Sequence, residues 1–279
     1  METGQPSRTA WGAAFHRAAH QVLDPVRIFE DPLAIAILGQ DTAGIARLAF
    51  ERDSDTRMRA FIAVRTRFAE DALAAACDRG TTQLVVLGAG LDTYAYRGAM
   101  RERLRIWEVD HPATQAWKRG CLSAAGIALP ANLTFASVDF EHETLADGLA
   151  AAGFDPSAQT FFTWLGVVPY LTREAIWSTL DFIAKLPGGA GVVFDYADPP
   201  DSLSAELRAA HERRAARVAQ LGEAFRSSFE PEELRAGLVA AGFREVENLG
   251  PPGIVARYFP ERAGPIPERG GHVVRASTV

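Results

Sequence analysis

The chain has 279 residues, of which 48% are hydrophobic and 23% charged, a balance that excludes a mainly disordered protein and supplies a large core. Lysine and arginine number 29 against 35 aspartates and glutamates, and a formal net charge of −6 argues against a phosphate-gripping nucleic-acid binder. The two cysteines, Cys77 and Cys121, form neither a disulfide framework nor a cysteine-rich zinc site.

Residues 1–6 lack a basic segment followed by an apolar one, and runs such as Leu33–Leu38 are far shorter than the ~18 residues of a membrane helix. A cytoplasmic protein is expected, acting without membrane or nucleic acid. Residues 1–80 read as successive helices. Thr9 is placed to cap a run carrying Trp11, Phe15, Ala18, Ala19 and Val22 at helical spacing. Asp31-Pro32 predicts a second, short helix. Residues 57–78 put Met58, Phe61, Ile62, Arg65, Phe68, Ala69 and Ala72 on one face, with Gly80 as the stop.

The pattern then changes to short, continuously apolar runs, as in buried parallel strands: 84–87, 104–109, 133–138, 160–165 and 191–196. Helical stretches at about 111–125, 142–151 and 172–186 separate them, which implies right-handed crossovers and a parallel α/β sheet. A charged helix is predicted over 202–222 and another over 231–241. Late strands are predicted at 243–249 and 254–259, and 272–276 is either an edge strand or part of a loose tail.

The first strand ends in Gly88-Ala89-Gly90, where the backbone turns tightly and a ligand can approach without meeting a side chain. A helix beginning near Asp92-Thr93 would aim its N–H groups at that ligand, and Thr93 stands where a dinucleotide fingerprint has its third glycine. Glu108 lies at the end of the next strand, where a carboxylate can accept bonds from ribose hydroxyls; Asp110 is the alternative. Asp139-Phe140 closes the third strand, either contacting an adenine or capping the next helix. Arg65, on an apolar stripe, is either one half of a buried ion pair or a clamp for a ligand carboxylate. His16 and His20 have the i, i+4 spacing of metal ligands, but no third ligand accompanies them and no metal is expected. No P-loop, G-x-S-x-G elbow or cysteine nucleophile motif is present.

Over nearly its whole length the chain resembles the leucine carboxyl methyltransferase family, which includes polyketide O-methyltransferases of the tetracenomycin type. The resemblance is carried by Ser7-Arg8-Thr9-Ala10, Arg17-Ala18-Ala19-His20, Glu30-Asp31-Pro32-Leu33-Ala34 and Arg65-Thr66-Arg67-Phe68 with Asp71. It is most specific in Val86-Leu87-Gly88-Ala89-Gly90-Leu91-Asp92-Thr93 with Tyr96-Arg97. It continues in Trp107-Glu108-Val109-Asp110-His111-Pro112 with Lys118, in residues 164–172 and in residues 256–259. It implies a class I methyltransferase, Rossmann-like, with a mostly parallel seven-stranded sheet, helices on both faces and an N-terminal helical cap. The cap would be residues 1–80 and the core 81–279, with a helical lid at about 200–225.

The implied cofactor is S-adenosyl-L-methionine. Arg65 would hold its carboxylate, Gly88 and Gly90 its methionine and ribose portion, Glu108 or Asp110 its ribose, and Asp139 with Phe140 its adenine. Leu165 stands where many members carry a glutamate, so the cofactor contact at that position is either absent or supplied by backbone. Arg8, Tyr170 and Tyr196 are the candidate substrate contacts. The expected activity is O-methylation of a small-molecule carboxylate or hydroxyl by a monomer or homodimer. The alternatives are an NAD(P)-dependent oxidoreductase and a non-catalytic nucleoside-binding module. A carboxylate, with a pKa near ~4, needs no general base, whereas a phenol near ~10 gains from one. No histidine is evidently placed as that base: His111 either flanks the cofactor or caps a helix.

Overall fold

The computed structural model describes residues 7–51, 55–138 and 143–279. The chain forms two compact units, Met1–Asp155 and Pro156–Val279. In the first, helices α1 (Arg8–Leu23), α2 (Thr42–Glu51) and α3 (Thr56–Asp78) precede β1 (Gln83–Leu87) and α4 (Tyr94–Arg97). There follow β2 (Arg105–Asp110), α5 (Pro112–Ala124), β3 (Leu133–Ser137) and α6 (Leu145–Ala151). The second unit holds β4 (Thr160–Trp164), α7 (Arg173–Ala184), β5 (Ala190–Ala197), α8 (Ala205–Ala219), α9 (Pro231–Ala241), β6 (Glu245–Leu249), α10 (Pro251–Tyr258) and β7 (Gly271–Ser277). The seven strands follow the sheet order β3-β2-β1-β4-β5-β7-β6.

In the first unit β1, β2 and β3 run parallel, with Leu87 opposite Val109 and Val109 opposite Ala136. Every residue of β1 is buried, as its unbroken apolar run requires. The N-terminal helices form one apolar cluster through Phe15, Ala18, Ala19, Ala34, Ile45 and Ala49. A second cluster joins Ala14 and Ile37 to Leu91 after β1 and Leu122 on α5. These helices therefore pack directly on the elements that follow β1. In the second unit β4 and β5 are parallel, and β7 runs antiparallel between β5 and β6.

Four sequence expectations are corrected. Ser7, not Thr9, caps α1, its hydroxyl accepting from Ala10 N at 3.2 Å. The segment after Asp31-Pro32 makes turns and a single 3-10 turn at Ala36–Leu38 instead of an α-helix. Residues 254–259 are not a strand: two prolines at the first positions of α10 preset helical φ, and a short apolar run by itself does not distinguish helix from strand. β7 is neither loose nor at an edge. It pairs along both sides, and Arg275 within it faces Glu245 and Glu247 of β6 at 3.7 and 3.5 Å.

Candidate cofactor site

β1 delivers the chain into Gly88 at φ 63° and Gly90 at φ 44°, left-handed conformations that glycine adopts without strain. Ala89 N donates to Val109 O at 3.1 Å, and Gly90 N donates to Asp110 Oδ2 at 2.6 Å. A Cβ on Gly90 would stand 2.9 Å from Ala10 Cβ. The first turn of α1 thus lies against the glycine turn, and Ser7 N reaches Thr114 Oγ1 at 3.3 Å near the start of α5.

The two candidate acids on β2 are in different situations. Glu108 is fully buried, its Oε2 2.7 Å from Lys118 Nζ and 3.4 Å from the Tyr96 hydroxyl. Lys118 is buried too, its ammonium 5.5 Å from the centre of the Tyr96 ring. Burial lifts the Glu108 carboxyl to about 7 against the pull of Lys118. Asp110 sits half-buried at the strand end, accepting from Gly90 N and, at 2.7 Å, from His111 N. Burial raises its pKa, and those two backbone bonds oppose the rise. Each carboxylate oxygen keeps a second lone pair. An acid of this kind beside a side-chain-free turn fits the ribose of a nucleoside cofactor.

Behind the turn is a buried network that the sequence reading did not assign. Asp31 Oδ2 accepts from Thr93 Oγ1 at 2.7 Å and lies 3.4 Å from Arg17 Nε, and its Oδ1 lies 3.1 Å from Arg97 Nε. Arg17 Nη2 donates to Leu91 O at 2.5 Å, and Arg97 Nη2 donates to Glu70 Oε1 at 2.6 Å. Burial raises the Glu70 pKa, opposed by Arg97. Thr93 is therefore not a glycine substitute; its hydroxyl joins the turn to the N-terminal helices. The signal was present, since Arg17, Asp31 and Arg97 all stood in recognised motifs, but nothing in their spacing pairs them.

Among the other expected site residues, Arg65 is buried on α3 in the same unit as the glycine turn. Asp139 and Phe140 lie outside the described residues. Arg8 is exposed at the start of α1. His111 caps α5, its Nδ1 accepting from Ala113 N at 3.2 Å. His20 uses both ring nitrogens, one with Asp24 Oδ2 at 2.7 Å and one accepting from Ile28 N at 3.0 Å. No group of three metal-ligating side chains occurs among the described residues. Nor is any described helix long and apolar enough to cross a membrane.

In the second unit Leu165 is half-buried in the turn after β4, and the adjacent Gly166 N donates to Asp195 Oδ1 of β5 at 2.6 Å. Tyr170 closes a 3-10 turn (Val168–Tyr170), its ring 5.3 Å from that of Phe225. Tyr196 is buried; its hydroxyl accepts from Asn248 Nδ2 at 2.8 Å and its ring stacks on His272 at 4.8 Å.

Residues 10–184 match the model of the leucine carboxyl methyltransferase family. The chain belongs to that family. Proteins similar to it include the Bacillus subtilis protein YktD, named as a candidate S-adenosyl-L-methionine-dependent methyltransferase, 30% identical over 94% of each chain. A Parafrankia relative with the same kind of name is 33% identical over 72% of this chain and 66% of its own length. The crystal structure of a candidate methyltransferase from Thermobifida fusca shares the fold, with a TM-score of 0.59 at 15% identity, covering 99% of this chain and 96% of that one. This family member is an S-adenosylmethionine-dependent methyltransferase with a mostly parallel seven-stranded sheet. The oxidoreductase and non-catalytic alternatives fall with that assignment.

Proposed function

We propose that this methyltransferase acts on an oxygen of a small molecule, a carboxylate or a hydroxyl, in natural-product metabolism. The observation that carries the reading is the family match over residues 10–184, because the family is named for carboxyl methylation. Elementary chemistry agrees. The cofactor supplies an electrophilic methyl group on sulfur, and the protein's task is to align the acceptor and exclude water. A carboxylate is already ionised at neutral pH and asks for no base.

In this reading Asp110, not Glu108, receives the ribose hydroxyls. Glu108 has no exposed surface and faces Lys118, whereas Asp110 stands at the strand end beside Gly90. Gly88 and Gly90 lend the cofactor their backbone, the side of Gly90 that a Cβ would take being filled by Ala10, and Arg65 takes its carboxylate.

The test is calorimetry followed by product chemistry. Wild type should bind S-adenosylhomocysteine; Arg65→Ala and Asp110→Asn should each weaken binding about tenfold or more, the loss expected for a charged hydrogen bond. Glu108→Gln, if folded, should bind better than Asp110→Asn. A labelled methyl group transferred to a panel of acids and phenols should end on oxygen: methyl esters release it in alkali, methyl ethers keep it. Transfer only to nitrogen or carbon acceptors would defeat the O-methylation reading.

A further inference from the structure

β5, β7 and β6 lie side by side in the second unit, and one chain of polar side chains crosses all three. Tyr196 of β5 stands opposite His272 of β7 in the strand register, and their rings stack at 4.8 Å with 21° between the planes. His272 Nε2 is 3.0 Å from Asp198 Oδ2, and its Nδ1 is 3.2 Å from Asn248 Oδ1 on β6. Asn248 Nδ2 donates to the Tyr196 hydroxyl at 2.8 Å. Asp198, His272 and Tyr196 are all buried. The charged groups acting on the ring are Asp198, Arg269 and Glu230. Asp198 also accepts from Gly270 N at 2.8 Å and from Arg269 Nη1 at 3.2 Å. The same Arg269 nitrogen donates to Glu230 Oε2, just before α9, at 2.8 Å.

Two hydrogen-bond patterns fit this chain, and the charge of the ring chooses between them. Asp198 acts as an acceptor throughout, so Nε2 carries a hydrogen in both. With Asn248 Oδ1 against Nδ1, that nitrogen must carry one too, and the ring is an imidazolium. The Tyr196 hydroxyl then accepts from Asn248, and its own hydrogen has no acceptor among the described residues. With the amide turned over, Nδ2 donates to a bare Nδ1 and Oδ1 accepts from the Tyr196 hydroxyl. The hydroxyl hydrogen then has its acceptor, and the ring is neutral. A buried donor without an acceptor costs free energy, so the network itself favours the neutral pattern. Burial likewise pulls the His272 pKa below the usual imidazole value, against the hydrogen bond to Asp198.

We propose that His272 is a proton-operated switch within the sheet: the neutral ring holds Asn248 so that the Tyr196 hydroxyl stays engaged as a donor, and the imidazolium turns the amide over and frees that hydroxyl. One proton enters at Nδ1 and none leaves. The folded pKa lies below 6.5, so the neutral ring favours the fold above pH 6.5, and that contribution is lost as the pH falls below it. The switch does not depend on the identity of the methyl acceptor.

The full-length protein, isotope-labelled at the histidine ring nitrogens and at tyrosine Cζ, is titrated by NMR between roughly pH 5 and 8. The His272 and Tyr196 signals are assigned by their loss in His272→Gln and Tyr196→Phe. His272 should hold its hydrogen on Nε2 at neutral pH and titrate below 6.5. Asn248→Asp, which offers Nδ1 an acceptor in either orientation, should raise that midpoint by about one pH unit or more. The Tyr196 Cζ signal should follow the His272 midpoint in wild type. Asn248→Leu keeps the stacked rings and removes the amide, so it should lose about half or more of that movement. Circular dichroism at neutral pH shows that each variant is folded. A wild-type ring protonated on both nitrogens at about pH 8 overturns the proposal with no variant needed. A midpoint unmoved in Asn248→Asp, or a Tyr196 response undiminished in Asn248→Leu, overturns it equally.

Discussion

Lys118→Met is the most informative perturbation of the first unit. Glu108 is 0% exposed and Lys118 1% exposed, with Nζ 2.7 Å from Oε2. Removing the ammonium leaves a buried carboxyl whose remaining partner among the described residues is the Tyr96 hydroxyl at 3.4 Å. Breaking one side of a buried pair costs about 3–5 kcal/mol. At roughly 2.1 cal/mol/K per residue, unfolding 279 residues carries an entropy of about 0.6 kcal/mol/K, so the melting temperature should fall by about 5–8 °C. The pH dependence has a definite sign. The Glu108 pKa rises on folding from 4.5 to about 7, so its contribution favours the fold below pH 4.5 and is lost as pH climbs through 7. Without Lys118 the carboxyl is pushed higher still, and the deficit in melting temperature should widen from pH 5.5 to pH 8. The double variant Glu108→Leu/Lys118→Met removes both charges and should melt above Lys118→Met, near wild type. Thermal unfolding followed by circular dichroism at three pH values checks all of this. A single variant within about 2 °C of wild type, or a double variant no better than the single, refutes the argument that the pair acts as a unit.

Gly90→Ala should weaken S-adenosylhomocysteine binding and lower stability by about 1–2 kcal/mol, since φ 44° is unsuited to alanine and its Cβ meets Ala10. Gly120→Ala on α5, where nothing lies within 4 Å, should instead stabilise by about 0.5–1 kcal/mol, measured by urea denaturation. Asp31→Asn should cost about 3 kcal/mol because Arg17 and Arg97 lose their shared buried carboxylate; equal urea midpoints for this variant and wild type would show the network to be dispensable.

The strands were legible because a strand covered on both faces needs an unbroken apolar run, and β1 is such a run with every residue buried. The glycine turn was legible because two left-handed positions in three residues leave glycine as the fitting residue. What was not legible depended on distant partners. Glu108 and Asp110 lie two apart on β2 and share a face, so only the arrival of Lys118 from α5 separates a paired acid from a ligand-ready one. Asp31 reads as a helix start until Arg17, Thr93 and Arg97 are seen around it. Arg275 reads as an edge or tail residue until Glu245 and Glu247 stand opposite. In each case a charged residue gained its meaning from a partner that local periodicity does not reveal.

The N-terminal segment also holds the glycine turn in place. Ala10 touches the position where Gly90 would carry a side chain, Arg17 holds the carbonyl of Leu91, and Asp31 binds the hydroxyl of Thr93. Three successive points of α1 and the loop after it thus grip three points of the turn after β1. The turn has a backbone bond of its own, Asp92 N to Ala89 O at 2.7 Å, and one to β2, Ala89 N to Val109 O at 3.1 Å. Asp110 on one side and these residues on the other add to those bonds from outside. The first unit accordingly spans the helices and the glycine turn together, and the geometry of that turn belongs to the assembly and not to the β1–α4 segment alone.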